Sequence, residues 1–242
     1  MNDFLYGARA KLGLIYPAPG WVMEPEFYEM SPEGVITLTT RMGSGPVDTE
    51  QLSTLGDKAL KSLELLKEAP IDGVIFGCTS GSFVGGVEYD KELIRKLEEA
   101  SGGLPCTTTS RSCVEALNVL NVKKVAVATP YTDEVNEKAK EFLEKSGIEV
   151  TKLKGLNFLY DSEINRADLE TVYNLAREVD TEDAEAVLIL CTGIRSVPIL
   201  ETLETDLDKP VISAIQATFW NALRMCGVNE KIKGFGSLLE RY

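Results

Sequence analysis

The stretch that decides the fold is Gly-Val-Ile-Phe-Gly-Cys-Thr at residues 73–79. A matching stretch, Ala-Val-Leu-Ile-Leu-Cys-Thr, follows 113 residues later at residues 186–192. Short continuous runs of Val, Ile and Leu are typical of strands that are buried on both faces of a parallel sheet. Each run ends at a cysteine followed by a threonine, so a reactive side chain follows directly on a predicted buried strand.

A second pair of stretches keeps the same offset. Lys-Leu-Gly-Leu-Ile-Tyr-Pro at residues 11–17 corresponds to Lys-Val-Ala-Val-Ala-Thr-Pro at residues 124–130, again 113 residues apart. Two strand ends that share one offset indicate a duplicated α/β unit. The strands predicted from these and the remaining apolar runs are 11–16, 35–39, 73–77, 124–128, 150–152, 186–190 and 210–213.

Amphipathic stripes between these runs predict helices. One apolar stripe runs from Leu52 to Leu66 as a single helix, whose start Asp48 and Gln51 could cap. Another runs from Val135 to Leu143, and Gly147 is expected to end that helix. Alternating strands and helices predict an α/β fold.

We therefore expect two similar lobes, each a parallel sheet flanked by helices, related by a pseudo-twofold axis. The predicted N-terminal lobe covers residues 1–115, with a C-terminal helix at 216–242 packing on it, and the C-terminal lobe covers residues 116–225. Ligands of open α/β sheets bind beyond the carboxyl ends of the strands. Cys78 and Cys191 are accordingly expected to point into one shared cleft between the lobes.

Composition excludes several kinds of function. The 242 residues carry a net charge of −13, which argues against nucleic acid, because binding to phosphates requires Lys and Arg. No apolar stretch approaches the length of a membrane span, and the start of the chain does not resemble a secretory signal. Five cysteines without tight spacing favour reduced thiols and a cytoplasmic location.

The absence of histidine narrows the chemistry further. It removes the commonest metal ligand and the commonest general base, so Ser-His-Asp and Cys-His sites are excluded within this chain. No C-x-x-C pair is present, and no dinucleotide or phosphate-loop motif occurs, so we expect neither a metal nor a cofactor.

The two cysteine motifs suit the binding of a carboxylate. Small, hydroxyl-containing, Gly-containing turns between a strand and a helix expose N–H groups that can hold a carboxylate or an oxyanion. The same N–H dipoles are expected to lower the pKa of Cys78. The alternative is that both are buried structural thiols. Cys106, Cys113 and Cys226 lack such settings and are interpreted as packing residues.

Tyr131 follows the predicted strand at residues 124–128 and the Pro130 turn. Its phenol could donate a hydrogen bond into the cleft, and the alternative is an aromatic residue that packs at the start of a helix. The size of the pocket is expected to depend on three loops, at residues 21–28, 83–87 and 158–164.

These motifs resemble the aspartate/glutamate racemase superfamily, in particular the branch with maleate cis–trans isomerase and arylmalonate decarboxylase. The resemblance covers nearly the whole chain and is most specific at the paired cysteine motifs and at Ala-Thr-Pro-Tyr-Thr-Asp-Glu-Val-Asn-Glu, residues 128–137. Leu-Pro-Cys-Thr-Thr at residues 104–108 and Pro17 also fit the decarboxylase pattern.

The resemblance implies roles for individual residues. Cys78 and Cys191 would be catalytic, with Cys191 in the place of the decarboxylase cysteine that protonates an enediolate. Cys78 falls where that decarboxylase has a glycine and where racemases and maleate isomerases have a cysteine. The residues implied in substrate binding are Pro17, Thr79, Ser80, Tyr131, Thr192 and Gly193.

The implied function is a cofactor-independent two-cysteine isomerase, either a racemase or a maleate-type cis–trans isomerase, acting on a small carboxylate or dicarboxylate. A homodimer is expected because the family is often dimeric. Maleate isomerases carry an asparagine in the first loop, and residues 17–20 contain none, which argues against maleate itself. The alternatives are a decarboxylase with Cys191 as proton donor and a carboxylate-binding protein without turnover.

Overall fold

The computed structural model of the chain describes residues 6–242, and eight strands form two four-stranded parallel sheets in that part. The strands are β1 (Ala10–Pro17), β2 (Val35–Met42), β3 (Gly73–Phe76), β4 (Cys106–Thr108), β5 (Lys124–Thr129), β6 (Glu149–Gly155), β7 (Ala186–Ile189) and β8 (Val211–Ser213). The first sheet has the order β2-β1-β3-β4, and the second repeats it as β6-β5-β7-β8.

The pairing of strands also repeats at the predicted offset. Leu12 pairs with Gly73 in the first sheet, and Val125 pairs with Ala186 in the second. Every residue of β3 and β7 is buried, as their uninterrupted apolar sequences predicted. The predicted α/β fold with two similar parallel sheets is confirmed.

Helices flank both sheets. They are α1 (Met23–Met30), α2 (Thr49–Ser53), α3 (Leu55–Leu66), α4 (Thr79–Phe83), α5 (Gly86–Ala100), α6 (Thr109–Val119), α7 (Asp133–Lys145), α8 (Asp161–Ile164), α9 (Leu169–Val179), α10 (Leu200–Leu207), α11 (Ala214–Met225) and α12 (Ser237–Arg241). The short α4 begins directly after Cys78, at the carboxyl end of the first sheet.

The structure differs from the predicted local structure in two places, one helix and one strand. The single helix expected from Leu52 to Leu66 is interrupted at Thr54, which ends α2 and precedes α3. Asp48 caps α2 by accepting a hydrogen bond from the Gln51 N–H at 2.9 Å, so the two residues expected at this helix start do form a capping contact. The strand β4 was not predicted, because three residues give no measurable periodicity.

The segment predicted as one C-terminal helix at 216–242 contains two helices, α11 and α12, and α11 packs against α6 and α1 of the first half. The predicted boundary at residue 115 falls inside α6, so we propose that the lobes divide after this helix. The predicted first lobe begins with residues 1–5, which lie outside the described residues. The same residues begin the stretch that was compared with a secretory signal. Among residues 6–242, no helix has the length and apolar character needed to cross a membrane.

Candidate active site

A cavity lies at the carboxyl ends of the central strands of both sheets. Pro17 ends β1, Cys78 follows β3, Tyr131 follows β5 and Cys191 follows β7. The cavity is lined by Tyr16, Pro17, Gly20, Val47, Cys78, Thr79, Ser80, Tyr131, Asp161, Ile164, Asn165, Cys191, Thr192 and Gly193. Every residue that the sequence implied in the site is therefore at this cavity, while the roles of these residues stay predictions.

The thiol of Cys78 is buried at the start of α4. Its Sγ lies 4.0 Å from Ser80 Oγ, and the N–H of Gly81 also interacts with it. A Cβ added at Gly81 would lie 3.1 Å from this sulfur, so glycine at that position leaves room for the thiol. Burial raises the pKa of Cys78 to about 12, because desolvation of the thiolate outweighs both interactions.

The thiol of Cys191 is also buried but has more groups that favour its thiolate. The Gly193 N–H donates a hydrogen bond to Sγ at 3.2 Å, and the Ile194 N–H and the Tyr131 phenol also lower the pKa. Desolvation still dominates and raises the pKa of Cys191 to about 11. The expectation that N–H dipoles lower the pKa of Cys78 was therefore wrong in its net direction. The Gly81 N–H does lower this pKa, but burial of the thiolate raises it by more.

Two hydroxyl groups of the cavity are free to bind a ligand. Within residues 6–242, neither Tyr131 Oη nor Thr79 Oγ1 forms a hydrogen bond, although both atoms are buried. The phenol interacts with the Cys191 thiol and the Thr79 hydroxyl, but these contacts do not meet hydrogen-bond geometry. Burial raises the pKa of Tyr131 well above its ordinary value, so the phenol keeps its proton and can donate it in a hydrogen bond.

A set of hydrogen bonds fixes the backbone of Tyr131. Thr129 Oγ1 donates to Asn136 Oδ1 at 2.5 Å, and Asn136 Nδ2 donates to the Tyr131 carbonyl at 3.2 Å. The Tyr131 N–H donates to Thr129 Oγ1 at 3.2 Å, and the phenol ring packs edge-on against Phe83, with 5.9 Å between centroids. Gly155 is required beside this turn, since an added Cβ would lie 2.2 Å from the Tyr131 carbonyl oxygen.

The two halves of the chain are joined by hydrogen bonds at the cavity. Tyr16 Oη donates to the Thr192 carbonyl at 2.9 Å, and Thr192 Oγ1 donates to the Gly77 carbonyl at 3.2 Å. The Thr192 hydroxyl is thus occupied by the opposite half. Glu26 adds a further connection, because its carboxyl group accepts hydrogen bonds from the N–H groups of Ser196 at 2.7 Å and Val197 at 3.2 Å.

Sequence reasoning missed several residues of the cavity, and the most informative is Asp161. This residue begins α8, is partly buried and accepts a hydrogen bond from Ser44 Oγ at 3.4 Å. Burial raises its pKa, and its charge raises the pKa values of Cys78 and Cys191. Of the three loops that were expected to shape the pocket, only residues 158–164, which include α8, line this cavity, while residues 21–28 and 83–87 do not. No pattern in the sequence marked the Asp161 carboxylate.

Comparison with known proteins identifies the family of this chain. The family model described as arylmalonate decarboxylase matches residues 12–239. The chain belongs to the arylmalonate decarboxylase family. The resemblance stated from the sequence motifs is therefore confirmed.

Several related proteins align with nearly the full length of this chain. The arylmalonate decarboxylase of Bordetella bronchiseptica is 28% identical over 232 residues, which make up 95% of this chain and 96% of that protein. The maleate isomerase of Nocardia farcinica is 26% identical over 240 residues, 96% of each chain. A liganded arylmalonate decarboxylase variant, with a glycine exchanged for cysteine and a cysteine for serine, has a TM-score of 0.90 at 28% identity, covering 96% of this chain and 100% of its own.

Proposed function

We propose that the protein is a cofactor-independent isomerase in which Cys78 and Cys191 act on opposite faces of a small carboxylate substrate. The observation that carries the proposal is the position of the two thiols. Each follows the corresponding strand of its own sheet, and both line one cavity beside the free hydroxyl groups of Thr79 and Tyr131. A single cavity thus combines two proton carriers with donors for a carboxylate.

In the racemisation that we propose, one cysteine reacts as thiolate and the other as thiol. The thiolate takes the proton from the carbon next to the carboxylate, and the electron pair of that bond moves into an enediolate. The second thiol then returns a proton to the opposite face and becomes the thiolate. Because both thiols have raised pKa values and interact with each other, their titration is coupled. Thr79 and Tyr131 stabilise the enediolate oxygen.

A cis–trans isomerisation would use the same groups differently. The Cys78 thiolate adds to one carbon of the double bond, and Cys191 supplies a proton to the other. Rotation about the resulting single bond is followed by loss of that proton and departure of the thiolate. The relatives include maleate isomerases, which supports keeping this reaction beside racemisation.

The family match supports a second candidate, a decarboxylase. Loss of carbon dioxide leaves an enediolate that one thiol, proposed as Cys191, protonates. The presence of Cys78 favours the two-thiol reactions, because a decarboxylase needs only one proton donor. A binding protein without turnover would need the donors but neither thiol.

We also propose that the protein is a homodimer and needs no cofactor. Light scattering should give twice the chain mass, and a monomer at working concentration would contradict the first proposal. Activity should survive exhaustive chelation without added nucleotide or pyridoxal phosphate. Loss of activity with a chelator and recovery with metal would contradict the second.

The decisive experiment is incubation in D₂O with a panel of maleate, amino acids and substituted malonates, followed by NMR for deuterium incorporation and product configuration. Cys191→Ser should abolish every reaction, and Cys78→Gly should abolish racemisation and isomerisation while leaving any decarboxylation. Cys226→Ser, a half-buried thiol remote from the cavity, is the matched control and should remain active. Full isomerising or racemising activity in Cys78→Gly would show that the two-thiol mechanism is wrong.

A further inference from the structure

The cavity has hydrogen-bond acceptors as well as donors. Asn165 is 1% exposed, and its Oδ1 is buried without a hydrogen-bond partner in the described part of the chain. The orientation of the amide is fixed, because Nδ2 donates to the Asp161 carbonyl at 2.5 Å and approaches the Pro19 carbonyl at 3.5 Å. The oxygen therefore remains as an acceptor that a bound molecule can use.

This acceptor lies close to the reacting groups. A Cβ added at Gly193 would lie 3.6 Å from Asn165 Oδ1 and 3.5 Å from Cys191 Sγ. The amide oxygen and the sulfur therefore both lie next to Gly193. The Asp161 carboxyl lines the same cavity one helical turn earlier, and its charge acts on both thiols. A charged and a neutral acceptor thus stand beside the thiols, while Thr79 and Tyr131 supply the donors.

No cation balances Asp161 in the cavity. Among the described residues that line it, none is Lys or Arg. Arg41 donates to the Gly20 carbonyl behind the lining, but it pairs with Glu24. A dicarboxylate would bring its second negative charge into a cavity that already holds Asp161 and a catalytic thiolate, and like charges disfavour one another in a buried site.

We propose that the substrate carries an ammonium group where a dicarboxylate carries its second carboxylate, with Asp161 and Asn165 holding that group. The substrate is then an amino carboxylate, whose carboxylate binds the Thr79 and Tyr131 donors and whose ammonium group binds the two acceptors. This assignment rests on the proposed two-thiol function and gives its substrate class.

The reaction that follows is racemisation at the carbon between the two charged groups. One thiolate takes the Cα proton, the electron pair passes to the carboxylate as an enediolate, and the opposite thiol returns a proton to the other face. The ammonium group is not chemically changed, and no oxidant or reductant is needed. Its positive charge also favours the thiolate, which burial and Asp161 disfavour.

Matched pairs of compounds test the assignment, since each pair differs only in ammonium against carboxylate. The pairs are alanine with methylmalonate and phenylglycine with phenylmalonate, which sample a small and a large third substituent. Hydrogen–deuterium exchange at the central carbon is followed by proton NMR in D₂O, with Cys191→Ser as the background. In at least one pair, we expect the wild-type protein to exchange the amino acid at least tenfold faster than the malonate.

The variant Asp161→Asn keeps the shape of the side chain and removes its charge. It should lower the ratio of amino acid to malonate exchange by about tenfold to a hundredfold, as expected for loss of a charge-assisted hydrogen bond. Glu137→Gln, an exposed position on α7, makes the same change of charge away from the cavity and should leave the ratio unchanged.

The outcomes separate the two levels of the proposal. Cysteine-dependent exchange or decarboxylation of the malonates without the amino acids would overturn the ammonium assignment and leave a thiol mechanism in place. An unchanged ratio in Asp161→Asn would also overturn the assignment, as would an absence of exchange for both amino acids. No cysteine-dependent reaction with these four compounds or with the wider panel would overturn the proposed function itself.

Discussion

Glu26 provides a quantitative test of how the two halves of the molecule are joined. Its carboxyl is 4% exposed and accepts hydrogen bonds from Ser196 and Val197, just after the Cys191 motif. Burial raises the pKa of Glu26 from its ordinary 4.5 to about 7, although the N–H groups and hydroxyl that it accepts from act in the opposite direction. The substitution Glu26→Gln keeps the shape and an acceptor oxygen but cannot ionise.

The sign of the effect follows from proton uptake. Between pH 4.5 and 7 the folded state holds a proton on Glu26 that the unfolded state has lost, so the free energy of unfolding falls as the pH rises. At about 1.4 kcal/mol per pKa unit, the full loss is about 3 kcal/mol. This loss of unfolding free energy should be complete slightly above pH 7. Glu26→Gln should lack this component, so the wild type should lose stability relative to the variant between pH 5 and 8.

Urea denaturation of both proteins at pH 5, 6, 7 and 8 measures the difference. Asp90 is another buried acid, with its pKa raised to about 6, but it is present in both proteins and cancels in the comparison. We expect the difference in unfolding free energy to change by about 2–3 kcal/mol in favour of the variant across this range. Parallel pH profiles would show that Glu26 is ionised in the folded protein and that its burial does not control its titration.

The remaining predictions concern the cavity. Tyr131→Phe should lower turnover about 10²–10³-fold, because it removes one hydrogen-bond donor to the enediolate, and should change the melting temperature little. Steady-state kinetics measure the first effect and thermal melting the second. Gly155→Ala should lower both turnover and melting temperature, since its Cβ would collide with the Tyr131 carbonyl; a fully active, equally stable variant would contradict this. The rate of carboxymethylation of Cys78 and Cys191 in the free protein should rise about tenfold per pH unit from pH 7 to 9, because both pKa values lie above that range. Peptide mass spectrometry measures this rate at each thiol. A rate already maximal at pH 7 would show that a thiolate is present at rest.

The sequence was sufficient to predict the central strands β1, β3, β5 and β7, because their signals are local and occur twice, whereas the edge strand β4 was missed. The runs before Cys78 and Cys191 keep one offset, and the pairing of β1 with β3 and of β5 with β7 reproduces it. Asp161 could not be found in this way. Its loop is positioned by distant contacts, such as the Val47 N–H donating to the Leu159 carbonyl at 2.9 Å, and a single sequence carries no periodic trace of them.

The electrostatics of the cavity connect the fold to the choice of substrate. Matching strands bring two thiols into one buried space, and the same burial raises both pKa values, so the site at rest disfavours the thiolate that the chemistry requires. A ligand that adds negative charge makes this thiolate harder to form, whereas a ligand with a positive group beside Asp161 makes it easier. Because no Lys or Arg lines the cavity in the described part of the chain, the substrate itself is the remaining source of positive charge. Binding of the substrate then also promotes formation of the thiolate. For this reason, exchanging Asp161 for Asn should change the selectivity between substrates with an ammonium group and substrates with a second carboxylate more than it changes the stability of the protein.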